Sequence, residues 1–198
     1  MKLFWCAQTR ASRLVWMLEE VGIDYERVTI DLRDPESRNN PEFLAASPMG
    51  KVPALQDGDV AMAESAAMCL YLADRYASGR LAPPIDVDER GTFLYWMFYG
   101  AAVMEPAMSE QASGAETNKG QRGWGDFETM LRVLTERLTG REWLLDSGFS
   151  AADVSCGSTA YFLRLFNMLP EDASVISDYI DRCLARPAYV KALAAEQS

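Results

Sequence analysis

Three places in this sequence carry side chains that could bind or react. The first is Cys6-Ala7-Gln8-Thr9-Arg10-Ala11-Ser12-Arg13, a thiol and two hydroxyls just ahead of an apolar-periodic stretch. A thiol there can serve as a redox nucleophile, or simply sit half-buried at a strand end as a small hydrophobe. The second is Lys51-Val52-Pro53, between a glycine-bearing loop and a β-rich run. A cis X-Pro bond at that point can expose the preceding backbone; the plainer alternative is a proline at strand entry. The third is Glu64-Ser65, which opens a helix whose unpaired N–H groups and partial positive charge suit a carboxylate. A routine cap, contributing about 1 kcal/mol, is the competing interpretation.

What is missing narrows the chemistry. The 198 residues contain no histidine, so the commonest general base and the commonest transition-metal ligand are absent. Ser-His-Asp hydrolysis and zinc hydrolysis are therefore excluded, and no metal site is expected. The four cysteines, at 6, 69, 156 and 183, form no CxxC pair and no dense framework, which fits a reduced thiol content. A net charge of -10 repels phosphate backbones and anionic lipid, so neither nucleic acid nor a membrane surface is an expected partner. No run approaches the ~18 apolar residues of a membrane span, and the N-terminus lacks the apolar core of a signal peptide. A cytoplasmic protein is expected.

The elements that must hold these residues fall into two halves. Lys2 to Trp5 reads as a short strand. Leu14, Met17, Leu18 and Val21 share one helical face that Gly22 ends, and Tyr25 to Asp31 alternates as a second strand. Strand, helix and strand within about thirty residues make a βαβ unit with a parallel pair and a right-handed crossover. Asn40-Pro41 caps a short helix through Leu44. Val52–Gln56 and Val60–Met62 flank the hairpin signal Asp57-Gly58-Asp59, and a helix follows from about Ser65 to Tyr76. The order βαβ, α, ββ, α is that of a thioredoxin-like domain, residues 1–78.

Residues 79–87, rich in proline, read as a linker, and residues 88–198 as an all-helical bundle domain. Phe93, Trp96, Met97, Gly100, Ala101 and Met104 form one apolar stripe. Further stripes run through Phe127–Leu138, Val154–Leu165 and Ile176–Cys183. Ala112 to Gly125 is polar and glycine-bearing and is expected as a loop or helix break. Ser150 to Asp153 fits a capping box, with Phe149 and Val154 as its hydrophobic staple. The fold class is thus α/β plus all-α.

With those motifs in place, the chain resembles the cytosolic glutathione transferases. Four segments carry the likeness, in order and at the family's distances: Ser12–Glu20 after the opening strand, Ser47-Pro48-Met49-Gly50-Lys51-Val52-Pro53-Ala54-Leu55, Glu64-Ser65, and Phe149–Asp153. The second is similar to the family's N-P-x-G-K-V-P-x-L segment, with Ser47 replacing asparagine. The resemblance implies that glutathione is the co-substrate and a small electrophile its partner. It further implies a cis bond before Pro53, with the N–H and C=O of Val52 paired to the cysteinyl part of glutathione. The γ-glutamyl carboxylate would lie on the Ser65 hydroxyl and N–H, its ammonium group on Glu64, and the glycyl carboxylate on Lys51, unless Lys51 is merely solvated.

The family must also hold the glutathione sulfur as a thiolate. By counting back from Arg13, Thr9 takes the place of the serine hydroxyl of some classes and Cys6 that of the redox thiol of others; Ser12 is a third candidate. No tyrosine is available in the turn. The resemblance also implies an electrophile pocket between the domains, with Tyr99 and Val103, which lie off the apolar stripe, facing it. It implies a homodimer as well, and the helix after Ser65, apolar all round through Ala66–Leu72, gives an independent reason for a partner surface; Met68 would face it if it points outward. The alternatives are a thiol oxidoreductase working through Cys6 and a non-catalytic binding module on the same fold.

Overall fold

The computed structural model describes residues 1–114 and 118–196. Contacts divide the chain into two units, Met1–Ala77 together with the segment from Arg186 on, and Ser78–Ala185.

In the first unit, β1 (Lys2–Trp5), α1 (Ala11–Val21) and β2 (Glu26–Thr29) form the expected βαβ unit. β1 and β2 pair in parallel, Lys2 beside Glu26. Gly22, at φ 79°, closes α1 by donating its N–H to Leu18 O; a side chain would be strained there. β2 is shorter than its alternation suggests. Asp31 already belongs to a turn, its carboxylate taking the Arg33 N–H and its own N–H going to Ser37 Oγ. A single helical turn, α2 (Pro35–Arg38), follows, which apolar periodicity does not reveal; Asp34 caps it by accepting from Glu36 and Ser37. Asn40 does the same for α3 (Pro41–Ala46).

β3 (Ala54–Asp57) and β4 (Val60–Ala63) make the hairpin, and α4 (Ser65–Tyr76) completes the unit. The sheet order is β2-β1-β3-β4, with β3 antiparallel to both neighbours. Phe4, Ile30, Phe43, Ala46 and Ala54 form a buried cluster on one sheet face, which α3 covers through Phe43. On α4, Met68 is fully buried, so it cannot supply an outward-facing apolar surface; the helix turns Ala66, Cys69, Leu72 and Ala73 inward with it.

The C-terminal helix α10 (Pro187–Glu196) also belongs to this unit, whereas the helical grammar assigns 88–198 to one bundle. Glu20, buried on α1, accepts from Trp16 Nε1 at 2.9 Å and from Arg186 at 2.5 and 2.8 Å. Trp16 meets the Tyr189 ring edge-on at 5.2 Å, and Lys191 pairs with Glu19 at 2.6 Å. These are long-range contacts of α1, invisible to periodicity within α10 itself.

The second unit holds α5 (Glu89–Tyr99), α6 (Glu105–Ser113), α7 (Phe127–Leu138), α8 (Ala151–Leu165) and α9 (Ser174–Leu184). The run 79–87 is stitched onto it: Leu81 and Ala82 are buried, and Leu81 O accepts the Ala151 N–H at 2.8 Å. A π-turn, Gly100–Met104, joins α5 to α6. Pro106 can donate no hydrogen bond and crowds the preceding turn, which accounts for the loosened ladder. Of the expected loop 112–125, Gly114 ends α6 in the left-handed region, Lys119–Gln121 form one 3₁₀ turn, and 115–117 lie outside the described residues. α8 begins with the expected capping box, Ser150 accepting from Ala152 N–H and Asp153 accepting from Ser150 N–H. Among the described residues no helix is long and apolar enough to cross a membrane.

Candidate functional site

The sheet register brings the reactive segments to one end of the first unit. Phe4 pairs with Ala54, and Ala54 with Ala63. The C-terminal ends of β1 and β4 and the N-terminal end of β3 therefore lie together, and Cys6, Val52 and Ser65 follow within two residues of those ends. Neighbouring strands lie about 5 Å apart, so the thiol turn, the Val-Pro segment and the N-terminus of α4 all emerge at the same edge. Sequence separations of nearly fifty residues are thereby closed by backbone pairing alone.

The Val52–Pro53 bond is cis, as expected. Among the described residues neither the N–H nor the C=O of Val52 takes a backbone hydrogen bond. The loop before it is clamped by Ser47, which is 1% exposed: its Oγ accepts the Lys51 N–H at 3.0 Å and donates to Lys51 O at 2.8 Å. Serine thus ties both ends of the loop. The Lys51 side chain itself is exposed.

Glu64 precedes α4 at φ 71° and ψ 105°. A residue with a Cβ is held there at a cost of about 1–3 kcal/mol, which concentrates at binding sites. Its exposed carboxylate makes no capping bond to α4. Ser65, half-buried, is the first residue of α4, and its Oγ accepts from Arg13 Nη1 at 2.6 Å. Arg13 is only 2% exposed. The sequence singled it out as a landmark for counting, not as a member of the site. A cation on the buried face of α1, between Ala11 and the apolar Leu14–Leu18 run, was the available signal.

In the thiol turn, Thr9 is half-buried. Its Oγ1 donates to Cys6 O at 2.7 Å and accepts the Ala11 N–H at 3.1 Å, so it caps the entry to α1. Gln8 takes φ 58°, which reverses the chain between Cys6 and Thr9. Cys6 is a free, half-buried thiol. The Ser12 hydroxyl, also half-buried, has no hydrogen-bond partner among the described residues, while its N–H donates to Thr9 O at 3.2 Å. All three candidates therefore sit in one turn at the positive end of α1.

Tyr99 does not face a pocket. It is 3% exposed and its hydroxyl donates to Met130 O on α7 at 2.9 Å, a partner that sequence spacing could not identify. Tyr95 and Phe98 are the exposed aromatic residues of α5; Val103 is half-buried in the π-turn.

A profile described as glutathione S-transferase, N-terminal domain, matches residues 9–75. A probable glutathione S-transferase of Oryza sativa subsp. japonica, GSTF1, is 31% identical, the match covering 98% of this chain and 95% of that protein. The disulfide-bond oxidoreductase YfcG of Escherichia coli (strain K12) is 26% identical over 96% of this chain and 93% of its own. A glutathione transferase homologue from Lodderomyces elongisporus, solved with two GSH per subunit, superposes with a TM-score of 0.79. It is 20% identical, over 98% of this chain and 97% of that one.

Proposed function

This chain belongs to the glutathione S-transferase family, and on that footing we propose that it activates glutathione as a thiolate and adds it to small electrophiles. The observation that carries the reading is the convergence of the Thr9 turn, the cis Val52–Pro53 segment and the Ser65 helix start at one sheet edge. Glutathione would lie across it as an extended tripeptide. Val52 would pair with the cysteinyl backbone, Ser65 with the γ-glutamyl carboxylate, Glu64 with the ammonium group and Lys51 with the glycyl carboxylate. Pro53 holds the segment in shape.

Thr9 is the hydroxyl we assign to the sulfur. Its proton lies on Cys6 O in the free protein, and rotation about the Cβ–Oγ1 bond redirects it without moving a heavy atom. A hydrogen bond to the thiolate, helped by the α1 N-terminus, lowers the thiol pKa from its free value of about 8.5. Attack on an aryl halide then forms a sulfur–carbon bond while the halide leaves with the carbon–halogen electron pair. Conjugation of glutathione to a chromogenic aryl halide tests the reading. Turnover that survives in wild type but falls sharply in Ser65→Ala is expected; no conjugation with any of a panel of halides, epoxides and enones would defeat it.

The half-buried Cys6 thiol supports a second reading, thiol–disulfide exchange through a mixed disulfide with glutathione. Exchange activity that disappears in Cys6→Ala, with conjugation absent, would favour it. We also propose a homodimer in the cytoplasm.

A further inference from the structure

We propose that Ser47 is a positioning residue that sets the register in which an extended peptide ligand pairs with this chain: it turns the backbone of Lys51 inward and so leaves that of Val52 to the ligand. The inference rests on the assignment of the cysteinyl backbone of glutathione to Val52.

Ser47 is buried although Pro48, Met49 and Lys51 beside it are exposed. Every polar group it has is engaged. Its N–H donates to Phe43 O at 2.7 Å at the end of α3, and its C=O accepts the Gly50 N–H at 2.8 Å. Its hydroxyl serves one residue twice, through the Lys51 N–H and the Lys51 C=O. Those are the two groups by which a residue pairs with a neighbouring strand. Ser47 therefore occupies the inner edge of Lys51 much as a strand would. In an extended segment successive residues turn their N–H and C=O to opposite edges, and a residue before proline is kept extended. With Lys51 held inward, Val52 presents its pair outward, and neither group carries a backbone hydrogen bond among the described residues.

The side chains point the same way. Val52 packs against the cluster of Phe4 and Phe43, whereas the Lys51 side chain is exposed, so the two residues already differ in face. Without the Ser47 hydroxyl, Lys51 would have an N–H and a C=O in need of partners, and an extended ligand could supply them. Pairing on Lys51 instead of Val52 is a slip of one residue, and such a slip exchanges the faces of all side chains of the slipped strand. The cysteinyl thiol would then leave the face it takes on Val52, the one we assign to the Thr9 turn. A hydroxyl suits this post because a single oxygen both donates and accepts.

Calorimetry on the intact protein decides the matter, with two ligands: glutathione and an analogue methylated at the cysteinyl nitrogen, which cannot donate to Val52 O. Wild type should prefer glutathione at least about tenfold, from the lost hydrogen bond and the added methyl group. Equal affinities in wild type would refute the Val52 assignment and the proposal with it. Ser47→Ala should cut the preference to about threefold or less, because the pairing the methyl group blocks is no longer enforced. A full preference in Ser47→Ala, with both ligands weakened alike, would mean that Ser47 only holds the loop together; the Val52 assignment would stand and the proposal would fall. Ser47→Thr keeps the hydroxyl and should keep the preference; its loss there would assign the effect to side-chain fit and count against the proposal. If Ser47→Ala fails to fold, Ser47→Cys carries the test, since a thiol donates and accepts only weakly. A reduced preference in that variant supports the register role and an undiminished one overturns it.

Discussion

The Thr9 hydroxyl donates to the carbonyl oxygen of Cys6 at 2.7 Å, so the two rival candidates for the sulfur position are held in one turn by one hydrogen bond. The bond uses the Cys6 backbone, so Cys6→Ala keeps it, whereas removing the Thr9 hydroxyl loosens the turn that holds the Cys6 thiol. The informative variants are those that keep the bond or change only the group at issue.

Thr9→Val keeps the β-branched shape and removes the hydroxyl, whereas Thr9→Ser keeps the hydroxyl and frees χ1. The thiolate absorbance of bound glutathione, titrated in the ultraviolet, should show its pKa rising by about 1–2 units in Thr9→Val, from the loss of about 1.5–3 kcal/mol. Thr9→Ser should restore it and Cys6→Ala leave it in place. A wild-type pKa in Thr9→Val together with a raised one in Ser12→Ala would transfer the role to Ser12.

The Glu20–Arg186 pair should prove asymmetric. Glu20 has a side chain 5% exposed and Arg186 one 26% exposed, so only the carboxylate lacks an easy route to water. Arg186→Met leaves that buried carboxylate without the guanidinium and is expected to cost about 3 kcal/mol in denaturant unfolding. Glu20→Gln/Arg186→Met should recover part of the loss, because the neutral amide still accepts from Trp16. Equal costs for Arg186→Met and the double variant would contradict this account.

Asp153 governs one pH response. Burial, only partly opposed by the hydrogen bonds it accepts from Leu144, Ser150 and Tyr179, pushes its pKa up from 3.8 to about 6. The folded state then binds a proton between those values that the unfolded chain has released. The associated stability is fully present below pH ~4 and is lost as the pH rises to about 6. Melting temperatures of wild type and Asp153→Asn, compared across that interval, should show a falling difference in wild type's favour as pH rises. A constant difference would rule the titration out. Above pH about 6 Asp153→Asn should still be the less stable, since an amide cannot accept on both sides as the ionised carboxylate does.

The homodimer is checked by sedimentation at micromolar concentration, where a species of twice 22.1 kDa is expected and one of 22.1 kDa would refute it. The variant for probing it is not Met68→Glu, because Met68 is buried within its own unit and a charge there would unfold the first unit rather than separate subunits.

Local rules determined much of this protein. Gly22 ends α1, Asn40-Pro41 starts α3, Gly58 turns the hairpin and Ser150–Asp153 opens α8, each because a cap or turn is a bargain among residues a few positions apart. The likeness of Ser47–Leu55 and Glu64-Ser65 to a known family was legible for the same reason: the segments are contiguous. What lies across the chain was not. That Arg13 reaches Ser65, that Glu20 recruits Arg186 and carries α10 to the first unit, and that Tyr99 finds Met130 O are pairings over 52, 166 and 31 positions. A buried polar group must find some partner, but sequence does not say which. Only tertiary packing decides that, α1 against α4 and α10 for the first two pairs and α5 against α7 for the third, because it alone brings the donor within reach of the acceptor.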